Sequence, residues 1–389
     1  MLALRNRHQV GGAVVAPGIV PKLFSELRGY ATKLERKTRG QVIDHYEGAK
    51  RDAMSRAAES LATEPINSYD ARVKMFLKDD KYVLDDEGTR FKAPRCIQFR
   101  SKRYVLELAR FLQPVEKMAY EWVDRYQTRI IAKSRNTVQR AADLRAKVEA
   151  IGDCAFVLLD HSNFDAHVTV DLLKVEHQFY DLHYDSPYLR KLLAWQLDNR
   201  GSTKNGTRYR TPGTRMSGDV NTGLGNSLLN VAMLHRWIRQ ARVPASIYVD
   251  GDDSVVVVER TKLAKLLSVD GGPSAHFLMS GMETKWSVVD QWEDVEFCQS
   301  KPVWDGCCWR MARDPQRLIQ RMCWTTRDWR PEFLPRLVRS IGLCELACND
   351  GLPIGQALAL SFVKSGSGAF WRGLDQYHRA KLEPYVPIR

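Results

Sequence analysis

The apolar positions of this chain fall into short runs that close on acids and into longer helical patterns separated by glycine. Cys154 to Leu159 is an unbroken apolar run ending on Asp160, which predicts a buried strand. Tyr248-Val249 and the β-branched run Val255 to Val258 flank Asp250-Gly251-Asp252-Asp253, predicting two strands joined by a tight turn with carboxylates at its tip. Gly251 supplies the backbone freedom that a two-residue hairpin loop demands. Helical patterns run from Pro21 to Leu34, from near Tyr46 to Ala62, from Tyr104 to Tyr126, from Thr169 to His183 and from Ser227 to Ile238. Thr169 reads as an N-cap with Asp171 in the first turn, and Asn205-Gly206 reads as a further hairpin turn.

Composition narrows what these elements serve. The 389 residues are enough for two or three subdomains, and 44% hydrophobic with 27% charged residues fits a globular protein. There are 59 Lys+Arg against 46 Asp+Glu, a net charge of +13, which points to a polyanionic partner. Between Phe91 and Ala150 stand 14 basic and 6 acidic residues, so this stretch carries +8 of that excess. Its core, Lys92 to Arg103, holds Pro94 and reads as an extended basic segment able to follow phosphates. No apolar run approaches the roughly 20 residues of a membrane span, and Met1 to Val20 is broken by charges, glycines and Pro17, so neither signal peptide nor anchor is expected. The eight cysteines form no CxxC pair, which favours reduced thiols; a zinc site built on Cys344 and Cys348, one helical turn apart, is the alternative.

The candidate chemistry sits in three segments. Asp252 and Asp253 repel unless a cation or strong donor lies between them, and a divalent metal is the economical explanation. Asp160 at a strand end, with Asp165 five residues on, supplies a second acidic pair. Gly213 to Asn226 sets Ser217, Thr222 and Asn226 among Gly218, Gly223 and Gly225, small polar groups suited to sugar hydroxyls, with glycines that permit close approach of a ligand. Singly, each has a plainer reading: a solvated Asp-Gly turn, a loop acid, a glycine-rich loop ahead of a helix.

Together, Asp160-x4-Asp165, Ser217-Gly-x3-Thr222-x3-Asn226 and Gly251-Asp252-Asp253 resemble motifs A, B and C of viral RNA-dependent RNA polymerases. Arg215-Met-Ser-Gly-Asp219 and Asn221-Thr222 make the tombusvirus and carmovirus-like group the nearest, with flavivirus-like polymerases next. Lys92 to Arg103 resembles motif F, Phe297 to Val303 motif E, and Ile341 to Leu346 with Gly351-Leu352-Pro353 the group's thumb. The resemblance covers residues from about 70 to 365. One departure is Asp250, where the group has an uncharged residue.

The resemblance implies an α+β right-hand polymerase whose palm is an antiparallel sheet flanked by helices. Residues 1–70 would be a segment of unassigned role packing with the fingers, 71–153 fingers with motif F, 154–185 palm, 186–212 a fingers insertion, 213–300 palm with motifs B to E, and 301–389 thumb. Asp160 and Asp252, assisted by Asp253, would bind two Mg²⁺ or Mn²⁺ ions. Asp165, Ser217, Thr222 and Asn226 would check the ribose; Lys92, Arg95 and Arg100 would hold the triphosphate; Lys285 would stand near the leaving group. Template and product RNA and rNTPs are the implied partners, in the host cytoplasm at membrane-associated replication sites, with a separate viral or host protein for membrane targeting. Arg310 to Arg339, with eight arginines against three acids and interleaved tryptophans, suits an RNA channel or, equally, a core of tryptophans under surface arginines. Reverse transcriptase is the rival enzyme, against which the motif B segment argues. A catalytically silent RNA-binding subunit is the rival of another class.

Overall fold

The computed structural model describes residues 3–4, 14–78, 93–325 and 328–370. The chain divides into two compact units: Met1–Lys78, Lys92–Ile131 and Val157–Val288 in the first, Asp79–Phe91, Ala132–Phe156 and Val289–Arg389 in the second. The class is α+β, as expected.

The first unit holds two sheets. Strands β1 (Val73–Leu77) and β2 (Cys96–Phe99) pair antiparallel. β3 (Cys154–His161) belongs to the other sheet, while β4 (Asp198–Thr203) and β5 (Arg208–Pro212) form the hairpin expected around Asn205-Gly206. β1 pairs β4 in parallel, so this sheet is mixed, in the order β2-β1-β4-β5. β6 (Ala245–Asp250), β7 (Asp253–Glu259) and β8 (Thr284–Val289) complete the second sheet, in the order β6-β7-β3-β8. β6 and β7 are buried on both faces, as their unbroken apolar runs require.

Helices cover that sheet. Thr222–Ala241 packs on β6 and against helix Ile19–Arg28, which in turn packs on helix Val170–Tyr184. Thr169 is the N-cap of the last, its side chain accepting from Leu172 N. The helix expected over Tyr104 to Tyr126 spans Lys102–Ala119, capped by Ser101. Beyond it the chain turns and runs beside β6, where Val249 N donates to Ile130 O at 2.9 Å. Hydrogen bonding to a sheet edge thus replaces the last two helical turns expected there. The N-terminal segment packs into the unit: helix Gly48–Thr63 lies on Lys102–Ala119, Arg39 pairs with buried Glu107 at 2.6 Å, and Glu26 with Arg239 at 2.8 Å.

In the second unit helix Thr137–Ile151, started by an Asn136/Gln139 capping box, packs on β10 (Trp309–Arg313), the antiparallel partner of β9 (Ser300–Trp304). Cys298 and Gln299 both adopt positive φ, and Phe297 and Ser300 exchange backbone hydrogen bonds at 2.9 and 3.1 Å around them. Trp309 is half-buried, edge-on to buried Trp292 and exposed Trp304, while Trp329 is half-buried and Trp324 exposed, so the tryptophans among the arginines are not core. Helices Leu334–Asn349 and Pro353–Ser365 pack on each other. All eight cysteines are thiols, with Cys96, Cys154 and Cys344 buried. No helix among the described residues is long and apolar enough to cross a membrane.

Candidate active site

The hairpin forms with the expected register. Asp250 and Asp253 face each other across β6 and β7, leaving Gly251 and Asp252 as the two-residue turn, with Gly251 at φ 71°. Asp252 is exposed and Asp253 half-buried. Next to β7 lies β3, whose penultimate residue, Asp160, is exposed.

The tip is tied down from helix Thr222–Ala241. Ser227 Oγ accepts from Gly251 N at 3.1 Å and donates to Gly223 O at 2.8 Å. Asn230 Nδ2 donates to Gly251 O at 3.0 Å and Asp252 O at 3.3 Å, so its Oδ1 must be the acceptor toward His161 Nε2 at 3.2 Å. His161 is therefore the Nε2–H tautomer, with Nδ1 facing Thr284 Oγ1 at 2.8 Å. Burial holds its pKa down to about 4, partly offset by Asn230, so the ring is neutral at pH 7. Strand end, hairpin tip and helix are thus joined by side chains that the spacing of the motifs left out. Polar Ser227 and Asn230 inside an otherwise apolar helical run were the available signal.

Asp165, on the short helix Phe164–His167, accepts from Asn226 Nδ2 at 2.8 Å, which unites two of the proposed ribose contacts. Burial pushes its carboxyl up to about 6, against the Asn226 hydrogen bond and the Arg215 charge, with Asp252 adding repulsion. Ser217 and Thr222 face the protein: Ser217 Oγ donates to Cys96 O at 2.7 Å, and Thr222 Oγ1 to Met216 O at 2.8 Å. Gly218 and Gly225 also approach the chain itself and not a ligand space. A Cβ on Gly218 would stand 2.5 Å from Gln98 O, and one on Gly225 2.2 Å from Glu176 Oε2.

Of the three cations assigned to the triphosphate, Lys92 lies outside the described residues and Arg95 is exposed. Arg100 is not brought to the surface. It is buried, donating to both oxygens of Asp219 at 2.7 and 3.0 Å and to Ala71 O at 2.6 Å, so its guanidinium serves the fold. Lys285 is exposed on β8.

Among the described residues no three His, Cys, Asp or Glu side chains converge closely enough to hold an ion by themselves. Mg²⁺ typically keeps several waters and binds through one or two carboxylates plus substrate phosphates. Exposed, hard carboxylate donors at Asp160, on β3, and Asp252, in the turn leading into the neighbouring β7, fit that mode.

Carboxylates on adjoining strands beside an Asp–Asn pair suit cations and sugar hydroxyls, the needs of a nucleotide-handling site. A family profile described as viral RNA dependent RNA polymerase matches residues 8–380, and the chain belongs to that family. It is similar to the RNA-directed RNA polymerase of red clover necrotic mosaic virus, 34% identical over 399 residues that cover 96% of this chain and 50% of the relative. The polymerase of turnip crinkle virus is 30% identical over 365 residues, covering 88% and 45%. That of cymbidium ringspot virus is 37% identical over 286, covering 72% and 34%. These relatives bear out the resemblance to the tombusvirus and carmovirus-like group, and the profile extends it into the N-terminal segment. The chain spans half or less of the length of these curated relatives.

Proposed function

We propose that the chain is the polymerising part of an RNA-directed RNA polymerase that copies a positive-strand viral RNA genome from rNTPs. The supporting observation is the convergence of three segments distant in sequence: Asp165 on Asn226, Ser227 and Asn230 on the turn Gly251-Asp252, and β3 with Asp160 beside β7. In this reading the sheet β6-β7-β3-β8 and its helices are the palm, the mixed sheet and the basic segment the fingers, and residues 301–389 the thumb.

Asp160 and Asp252, with Asp253, would hold two Mg²⁺ or Mn²⁺ ions. When bound, such ions lower the pKa of an attacking 3′-hydroxyl and neutralise the triphosphate and departing pyrophosphate. The chain's own residues orient the substrate. Asp165 and Asn226 face the 2′-hydroxyl, which both donates and accepts and so separates ribose from deoxyribose. Arg95 and Lys92 attract the triphosphate, and Lys285 stands ready to give a proton to the leaving group. Template and product RNA follow the basic surface, and a viral or host protein brings the chain to membranes in the host cytoplasm.

The test is incorporation of rNTPs by the purified chain on a defined RNA, omitting each rNTP in turn, with Asp160→Ala and Asp252→Ala as controls. Metal-dependent incorporation lost in both variants, with RNA binding kept, is expected. Incorporation of dNTPs in preference to rNTPs would support the reverse transcriptase reading, and RNA binding without incorporation the silent subunit.

A further inference from the structure

Behind the Asp165–Asn226 pair lies an ion pair with no direct part in nucleotidyl transfer. Arg215, at the start of the motif B loop, donates from Nη1 and Nη2 to the two oxygens of Glu176 at 2.7 and 2.5 Å, and both side chains are buried. Its remaining Nε donates to Asn226 Oδ1 at 3.0 Å. The Asn226 amide is thereby oriented from both ends, oxygen toward Arg215 and nitrogen toward Asp165. Asn221 Nδ2 adds a third donor to Glu176, at 3.1 Å. Space for the pair exists only because residue 225 is glycine; a Cβ there would lie 2.2 Å from Glu176 Oε2 and 2.5 Å from Arg215 Nη2.

Stability alone does not account for this arrangement. A buried ion pair is often matched or exceeded by apolar residues of the same volume, whereas its fixed bidentate geometry sets the direction of whatever the guanidinium touches next. An Asn amide is nearly symmetric in shape, so packing cannot decide which end faces Asp165; hydrogen bonding must. Arg215 has donors only and can accept nothing, so it admits only the oxygen of Asn226.

We propose that Glu176 and Arg215 are positioning residues for sugar selection: the pair locks the Asn226 amide with its donor toward Asp165, and so sets the preference for ribonucleotides over deoxyribonucleotides. The proposal rests on the reading of Asp165 and Asn226 as the ribose contacts.

The experiment compares ATP with dATP opposite a template uridine for the full chain, as the ratio of kcat/KM values and, independently, as the ratio of Kd values by calorimetry in Mg²⁺. The variants are Asn226→Ala, Arg215→Lys, and the double variant Glu176→Leu with Arg215→Met, which removes both charges together. Lysine keeps the charge beside Glu176, but one ammonium cannot reproduce the fork that serves carboxylate and amide at once. Arg215→Lys and the double variant should each lower the ATP preference by about tenfold or more, chiefly through ATP, and Asn226→Ala added to the double variant should lower it no further. Should the double variant fail to fold by circular dichroism, Arg215→Lys alone decides. Equal losses for ATP and dATP in Arg215→Lys, beside a lowered preference in Asn226→Ala, would overturn the positioning role and leave the ribose reading intact. An unchanged preference in Asn226→Ala would remove the ribose reading and the positioning role with it.

Discussion

Asn230→Ala isolates what holds the hairpin tip. The side chain is fully buried and makes three polar contacts: Gly251 O at 3.0 Å, Asp252 O at 3.3 Å and His161 Nε2 at 3.2 Å. A buried hydrogen bond contributes about 1 kcal/mol net, and a group left buried without a partner costs about 1–3 kcal/mol. Losing the contacts and orphaning His161 Nε2 therefore predicts roughly 3–6 kcal/mol of destabilisation, inside the ~5–15 kcal/mol a domain typically has. The variant should still fold at 25 °C, with a urea midpoint well below wild type. Its kinetic effect is separate: if the tip carbonyls are what hold Asp252, a shift of about 1 Å would cost on the order of 10²-fold in kcat, with RNA affinity little changed. A stability loss under about 1 kcal/mol would refute the hydrogen-bond accounting. The full stability loss with kcat within twofold of wild type would show that the hairpin holds its own tip.

Further outcomes follow from the same geometry. Asp250→Asn should keep most incorporation while Asp252→Asn is inactive, since Asp250 pairs across the strands with Asp253 and Asp252 alone occupies the turn; equal inactivity, read across a Mg²⁺ and Mn²⁺ titration, would put the metal on other carboxylates. Arg100→Met should lower stability by about 3–5 kcal/mol in urea, because it strands buried Asp219; a change confined to KM for rNTP would restore Arg100 to the triphosphate. Burial, with the Arg215 charge, holds His177 down to about 3, so between pH 6.5 and 3 the unfolded chain binds a proton that the folded chain refuses, and stability falls as pH drops. His177→Gln should therefore flatten the stability–pH curve by about 1.4 kcal/mol per unit between pH 6 and 4, and parallel curves would sink the idea. Affinity for single-stranded RNA should fall with salt at a log–log slope of about −0.7 per phosphate contact, and a slope near zero would assign the +13 to another purpose.

The hairpin was legible because its information is local: two apolar runs, one glycine and a two-residue turn leave a single register. The helix Thr222–Ala241 was legible only in part. Its first turn contains Gly223 and Gly225, which read as loop by propensity, yet the backbone is helical there, and at Gly225 the Glu176–Arg215 pair occupies the space a Cβ would take. The long-range partners were not legible. Glu176 and Arg215 stand 39 residues apart and Arg100 and Asp219 stand 119 apart, and neither periodicity nor composition ties such positions together.

The same limit governs the charge map. The basic stretch from Phe91 to Ala150 reads as one electrostatic footprint, but several of its arginines face acids within the fold: Arg100 meets Asp219, Arg103 Asp70, Arg110 Glu107, Arg129 Glu121 and Arg135 Asp143. Arg100, Arg129 and Arg135 use the guanidinium's rigid fork to hold both oxygens of their acids, and a charge neutralised inside the protein releases no counterion from RNA. Exposed Arg95, Lys102, Lys117 and Arg125 are better placed to meet phosphates. Replacing Lys102, Lys117 and Arg125 with Gln should therefore reduce the salt slope while leaving stability nearly unchanged, whereas replacing the paired arginines should do the reverse. It follows that net charge counted along a sequence overstates the footprint wherever arginines have acids within reach, and that here exposed Arg95, Lys102, Lys117 and Arg125 are its better candidates.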